Sequence, residues 1–326
     1  MTFGMIGRAA LLSVGLVLAA LAPAVAQDNY PNKPIRVIVP FAAGGGNDIF
    51  ARVVAQKAGE IMGATFVIEN RPAAGGRPAA EYVTHQPADG YTLLVSPIGA
   101  ISIAAAVLPN LKYSPTKSFV PLAMICSIPL FMVVRADNPA KTLKEFIAWM
   151  KEHPDRANYS SSSPAFTIVT ELLKLKSGMP GTMIPYKSSA EMNLAVVSGQ
   201  AAMTIADGPP TIPLVKGGKE RALAVTTAER SPDLPGVPTM IEAGYPAVTA
   251  TFWNGAFAPA GTPPAVVAKL QKAWSEAVHD PAVAGKLKAM ALVPSNATPA
   301  QFATIIEGDI VKFRGVVQAA GLKFEE

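Results

Sequence analysis

Half of the 326 residues are hydrophobic and 16 % are charged, enough apolar material for a substantial core. The formal net charge of +5 comes from dispersed basic residues, with no stripe of the kind that grips nucleic acid. Cys126 is the only cysteine, which excludes an intramolecular disulfide and a thiolate metal cluster; beside Met124, Ile125 and Ile128 it reads as a small buried hydrophobe.

The chain opens MTFGMIGRAALLSVGLVLAALAPAVAQDNYP. Arg8 is the only charge before an apolar or small run from Ala9 to Ala22, and Ala24-Val25-Ala26 closes it. That is the form of a secretory signal peptide over residues 1–26, cleaved near Ala26, rather than a membrane anchor. About 300 residues remain, a length that usually makes two domains. No later stretch runs eighteen residues without a charge or a breaker, so a soluble, periplasmic product is expected, with no membrane insertion after cleavage.

Ile35 to Phe41 (IRVIVPF) is a compact apolar run of strand length, as expected for a strand covered on both faces. Three glycines follow, and then a helix in which Ile49, Val53 and Val54 recur at helical spacing, with Asn47-Asp48 as its cap. Thr65 to Asn70 reads as a second strand, RPAAGGRPAAEYVTHQ as a glycine turn into a helix, and Tyr91 to Ser96 as a third strand. Strands alternating with helices predict a parallel, layered sheet. The middle of the chain repeats the grammar: LFMVVR, ANYSSSS, GTMIPYK, AAMTIAD and ERALAVTT as strands, with a helix after each of the first three. One of these starts at Thr142 with Glu145 three residues on, and others close at Gly178 and Gly199. Thr249 to Gly261 is extended, and two helices end the chain, the first with Pro263-Pro264 in its opening turn.

The fold class is therefore α/β, with two lobes joined where the chain crosses near Ile128 to Arg135 and again near Thr249 to Ala258. The expected division is residues 27–127 plus 251–326 as a discontinuous first domain and 128–250 as the second. In such a clamshell, ligands sit at the carboxyl ends of the strands.

Gly44-Gly45-Gly46 matches neither the G-x-G-x-x-G dinucleotide pattern nor a Walker loop. It offers either free N–H groups at the positive end of a helix, suited to a carboxylate or phosphate, or only a tight turn. Arg71-Pro72-Ala73-Ala74-Gly75-Gly76 repeats the arrangement after the next strand, and two such loops on one sheet edge could grip one carboxylate. Ser160 to Ser163 present four adjacent hydroxyls before Pro164, as ligand donors or as a solvated cap. A serine hydrolase would need a base, and His85, His153 and His279 all read as helix termini; Gly-x-Ser-x-Gly is absent. Tyr186 could wall the cleft, and Asp207 could accept from an amine or hydroxyl or serve as a turn residue. No histidine–carboxylate cluster suggests a metal, and no cofactor is expected.

The blocks Tyr30-Pro31-Asn32-Lys33-Pro34-Ile35, Val39-Pro40-Phe41, Glu69-Asn70-Arg71-Pro72 and Ala88-Asp89-Gly90-Tyr91-Thr92-Leu93-Leu94 stand in order along the chain. Pro185-Tyr186-Lys187, Arg221 to Thr226, Pro235-Gly236-Val237-Pro238-Thr239 and Ala258 to Pro263 follow. In these blocks the chain resembles the substrate-binding proteins of tripartite tricarboxylate transporters, the Bug receptor family. The resemblance implies a non-enzymatic, monomeric periplasmic receptor of Venus-flytrap architecture for a small organic acid, presented to membrane transporter subunits or to a sensory partner. It implies ligand roles for Phe41, Gly44, Gly45, Gly46, Asn47 and Asp48, for Ala73, Ala74, Gly75 and Gly76, and for Ser96. From the second domain it implies Ser162, Ser163, Thr167, Tyr186 and Asp207, which would read the distal end of the ligand. Ser160 to Thr167 lacks the glycines usual in that loop.

Overall fold

The computed structural model describes residues 30–72 and 74–324. The signal peptide expected over residues 1–26 lies outside them, as does Ala73. Along the first part of the chain run β1 (Ile35–Val39), α1 (Gly46–Met62), β2 (Phe66–Asn70), α2 (Arg77–Thr84), β3 (Thr92–Pro97), α3 (Ser102–Val107) and β4 (Phe119–Ile128). The middle holds β5 (Leu130–Arg135), α4 (Leu143–Glu152), β6 (Asn158–Ser161), α5 (Pro164–Ser177) and β7 (Thr182–Pro185), then α6 (Ser189–Val197), β8 (Met203–Asp207), α7 (Gly208–Lys216) and β9 (Glu220–Val225). β10 (Phe252–Pro259), α8 (Pro264–His279), α9 (Pro281–Ala289), β11 (Val293–Pro294) and α10 (Pro299–Ala319) complete it.

Local chemistry explains most of these boundaries. Val37, Ile38 and Val39 are buried on both faces of β1, as the continuous apolar run requires. Along α1, Phe50, Ala51, Val54, Ala55 and Ala58 form the buried stripe, and Gly63 ends the helix at φ 62°. Thr142 caps α4 by accepting the Glu145 N–H at 3.2 Å, and Thr298 and Gln301 make a full capping box on α10.

The strands form a six-stranded sheet, β11-β4-β10-β3-β1-β2, and a five-stranded sheet, β7-β6-β8-β5-β9. Neither is wholly parallel, in contrast to the pattern expected from alternation. β1, β2 and β3 are parallel, as are β6, β7 and β8, but β10 runs antiparallel to β3 and β4, and β5 antiparallel to β8 and β9. The reversed strands are the first ones after each crossing: the chain passes into the other lobe and comes back along the sheet in the opposite sense. β4 and β11, absent from the sequence reading, occupy the outer flank of the first sheet.

One core packs Val37, Val39, Val54, Leu270 and Trp274 between the sheet, α1 and α8. The opposite face of the sheet packs against α10, where the Trp253 and Phe302 rings meet edge to face with centroids 4.9 Å apart. Cys126 is fully buried in the first core, and burial pushes its thiol up to about 12.

The crossings are laced side by side. The Thr226 N–H donates to the Leu130 carbonyl at 2.9 Å, and the Ala250 N–H donates to the Thr226 carbonyl at 2.9 Å. Leu130 pairs with Asp207, and Phe252 with Ile128. The carboxyl ends of β1 to β4 therefore lie on the edge of one sheet that faces the crossings, and those of β6 to β9 on the matching edge of the other.

Candidate functional site

Two rims of loops line this edge. In the first lobe, Val39 pairs with Asn70, so the loops after β1 and β2 leave the sheet side by side. The Arg71 N–H donates to the Val39 carbonyl at 2.8 Å and holds them in register. The helix α1 is capped by Gly45, not by the Asn47-Asp48 pair expected from sequence, and its cap has no side-chain hydrogen bond. The Ile49 N–H is bonded to the Gly45 carbonyl at 3.0 Å. The amides of Gly46, Asn47 and Asp48 come before that first intrahelical bond, and their N–H groups have no acceptor within the helix. They stand at the positive end of a 17-residue helix.

Asp48 itself is 2 % exposed and spends its carboxylate on the protein. Its Oδ2 accepts the Gly44 N–H at 2.9 Å and the Arg52 Nε at 2.9 Å, and its Oδ1 accepts the Asn70 Nδ2 at 2.9 Å. Asn70 also donates to the Phe41 carbonyl at 3.0 Å and accepts from Arg52 at 3.1 Å. The Arg52 guanidinium, opposed by burial and helped by the Gly44 amide and Asn70, holds the Asp48 carboxyl down at about 2. Asp48 is thus a brace that fixes the loop, and the Gly44 amide is engaged within it. Phe41 and Asn47 are half-buried and Gly44, Gly45 and Gly46 exposed.

The second loop forms a short helical turn at Ala74–Gly76. Gly76 is buried at φ +90°, and a Cβ there would meet the Pro40 Cβ at 3.0 Å and the Ala100 Cβ at 3.3 Å. Pro40 follows β1 and Ala100 follows β3, so all three loops of the rim touch at this backbone. Gly44, at φ +80°, has open space around it. Gly76→Ala is therefore expected to cost about 2–3 kcal/mol and to displace the rim, whereas Gly44→Ala should cost only about 1 kcal/mol. Urea unfolding of the two variants checks the ordering. Arg71, beside this loop, lies 3.6 Å above the Tyr82 ring and is paired with Glu69 at 2.6 Å. Ser96 is fully buried at the end of β3, its hydroxyl 3.3 Å from the Pro97 carbonyl.

The second rim is built of hydroxyls. Ser161 pairs with Pro185, and the Tyr186 N–H extends that ladder to the Ser161 carbonyl at 2.8 Å. Ser163 occupies the cap of α5 without a side-chain cap bond, and Ser162 and Ser163 are half-buried. Thr167 is buried, its hydroxyl 2.8 Å from that of Ser161. Tyr186 is half-buried against Ala195, Val196 and Ala201 of its own lobe, its hydroxyl 3.4 Å from Gln200. Asp207 caps α7 in position only, and the Ser189 hydroxyl bonds its Oδ1. Burial pushes the Asp207 carboxyl up, against the Ser189 bond and a bond from its own backbone.

The structure thus gathers the predicted residues into two groups, each on one lobe. Sequence reading missed the roles of Arg52, Asn70, Ser161 and Ser189. The i,i+4 spacing of Asp48 and Arg52 signals the first of these. Asn70 and Ser189 act across strand ends and leave no local trace. His85, His153 and His279 stand at or beside the ends of α2, α4 and α8, and the hydroxyls of Ser161 and Ser189 bond to Thr167 and Asp207. The rims offer amide and hydroxyl donors for a small polar or anionic molecule.

A family model for the tripartite tricarboxylate transporter family receptor matches residues 50–322. The Bordetella pertussis protein BugT is 33 % identical over 319 residues, covering 97 % of this chain and 98 % of that protein. Among solved structures, R. palustris Rpa4515 with adipate superposes with a TM-score of 0.77 at 32 % identity, over 90 % of this chain and 99 % of the other. MatC from Rhodopseudomonas palustris with bound malate gives 0.74 at 32 % identity, over 88 % of this chain and 100 % of the other. The periplasmic binding protein BugD gives 0.74 at 30 % identity, over 91 % of this chain and all of the other. Two α/β lobes with their strand ends turned to a common crossing, and a match along most of the chain, lead to one assignment: the protein belongs to the receptors of the tripartite tricarboxylate transporter family, which are periplasmic solute-binding proteins.

Proposed function

We propose that the protein is exported to the periplasm, captures a small organic carboxylate between its lobes and presents it to the membrane subunits of a tripartite tricarboxylate-type transporter. The lobes are residues 27–127 with 251–326, and residues 128–250, closing about the two crossings. The observation that carries this reading is the set of amides at Gly46, Asn47 and Asp48, at the positive end of α1 on the edge facing the crossings. The Asp48–Arg52–Asn70 brace pre-organises them, so no rearrangement is needed when a carboxylate arrives. The turn ending in Gly75 and Gly76 offers the second grip, through backbone groups as well. Hydroxyls of Ser162 and Ser163, with Tyr186 and Asp207, read the far end of the ligand from the other lobe. A ligand that touches both rims favours the closed arrangement, because it binds that state better than the open one. The adipate and malate found in related structures support a dicarboxylate of four to six carbons as the first class to try.

A thermal-shift screen of adipate, malate, citrate and monocarboxylates tests this, since a ligand bound only to the folded state raises the melting temperature. At a concentration 100 times its dissociation constant, the right acid stabilises by about 2.7 kcal/mol. It should also compact the molecule in small-angle scattering. Melting curves unmoved by every carboxylate, with a shift from some uncharged solute, would overturn the reading.

A further inference from the structure

A second hollow lies away from the glycine loops. It has a volume of about 420 Å³ and is walled by the second crossing at Thr249–Thr251, by Ser127 and Trp253, by the segment 294–297 and by Asp309 of α10. Its size is that of a small-molecule pocket. The hollow is walled by the crossing-side ends of β4 and β10, and β3 separates β10 from β1, which carries the first glycine loop, so it lies on the same edge as the acid-binding rim but further across the sheet.

Its chemistry is opposite to that of the rim. Asp309 Oδ2 accepts the Trp253 Nε1–H at 2.8 Å, and among the described residues no cation lies within 4.0 Å of the carboxylate. Burial pushes this carboxyl up to about 6, against the pull of the Trp253 bond and of Lys312 one turn on. Lys312 is the cation that faces the same region, and its Nζ bonds to the Thr249 carbonyl. Burial lowers its own pKa. The rest of the wall is hydroxyl and amide groups (Ser127, Thr251, Ser295, Asn296) and apolar surface from Met124 and Ile305, with the fully buried Trp253 behind Asp309. Asp309 is half-buried, and a carboxylate partly withdrawn from water repels organic acids and attracts a cation. The apolar walls select one with a short hydrocarbon stem.

We propose that the hollow between the second crossing strand and α10 is a binding site for a small primary-amine cation, with Asp309 as its counter-ion. Occupancy braces the second crossing strand against α10.

Titration of the wild-type protein with 1-aminobutane and 1,4-diaminobutane by calorimetry tests this. Saturable binding at one site is expected at pH 7.5, and at least several-fold weaker binding at pH 5, where Asp309 gains a proton and the amines stay charged. Asp309→Asn, which keeps an acceptor for the indole, should weaken the amines tenfold or more. Thr251→Leu, which fills the hollow without removing the carboxylate, should abolish binding. Absence of saturation in the wild-type protein would overturn the proposal. So would equal affinity at the two pH values, equal affinity in a folded Asp309→Asn variant, or butan-1-ol binding as tightly as 1-aminobutane.

Discussion

Glu220→Gln is expected to stabilise the protein by on the order of 3 kcal/mol at pH 7 and to change nothing at pH 4. Glu220 opens β9 and is 2 % exposed, and neither carboxylate oxygen has a hydrogen-bond partner. Arg135 stands opposite it in the ladder but binds Asp137 at 2.6 Å instead. Burial alone therefore sets the proton affinity of the group, and pushes it up to about 8. Below about pH 4.5 the folded and unfolded chains both hold the proton, and the group adds no pH-dependent cost. Between there and pH 8 the unfolded chain releases a proton that the folded one retains, so stability falls by about 1.4 kcal/mol per pH unit. Above pH 8 the loss is complete. Glutamine has nearly the shape of the protonated acid and no charge to release. Urea midpoints at pH 4, 7 and 9 should separate the two proteins progressively; parallel curves would show that the carboxyl reaches water.

Asp48→Ala should act in the opposite sense, destabilising by about 2–4 kcal/mol at pH 7 and weakening carboxylate binding at least tenfold. The substitution strands the Gly44 amide, the Asn70 amide and the Arg52 guanidinium at once, because all three converge on the same two oxygens. The carboxyl is held at about 2 against an ordinary 3.8, so its contribution is present above pH 3.8 and disappears as pH falls through 2. That shift accounts for about 2 kcal/mol of the difference. The gap between wild type and variant in denaturant should accordingly narrow in acid. Asp48→Asn, which can still accept from Gly44 but cannot pair with Arg52, should fall between them. A variant as stable as the wild type at pH 7, with adipate or malate affinity intact, would show that the rim holds its shape without the brace.

The parts of the fold legible from sequence are those with one dominant local signal. β1 is a run of buried β-branched residues, and the crossing at Leu130–Arg135 is another apolar run after Pro129. β4 escaped because Pro121 and a mixed face interrupt any alternation, and its pairing with β10 contains register shifts. α7 reads as a turn, since three of its nine residues are proline, and it exists because Pro209 and Pro210 fall in the first turn and the helix packs on β9. α9 was lost at Asp280-Pro281, where one helix stops and another begins with Asp280 as its cap. The site divides in the same way. Glycine loops after strands announce open backbone, and Asp48 and Arg52 sit one helical turn apart. The Asn70 tie to Phe41 spans 29 residues and the Ser189 bond to Asp207 spans 18, so only the folded sheet edge brings them together.

The chain carries one sulfhydryl, and Cys126 keeps it out of water and fully protonated at neutral pH. Any thiol added at the surface is then the only one that a maleimide dye can reach. Ile49, 44 % exposed in the first turn of α1, is a natural place for it, next to the amides but with its side chain toward solvent. Under the proposed function, a dye on Ile49→Cys is expected to change its emission when a carboxylate draws the lobes together, an optical readout of that binding.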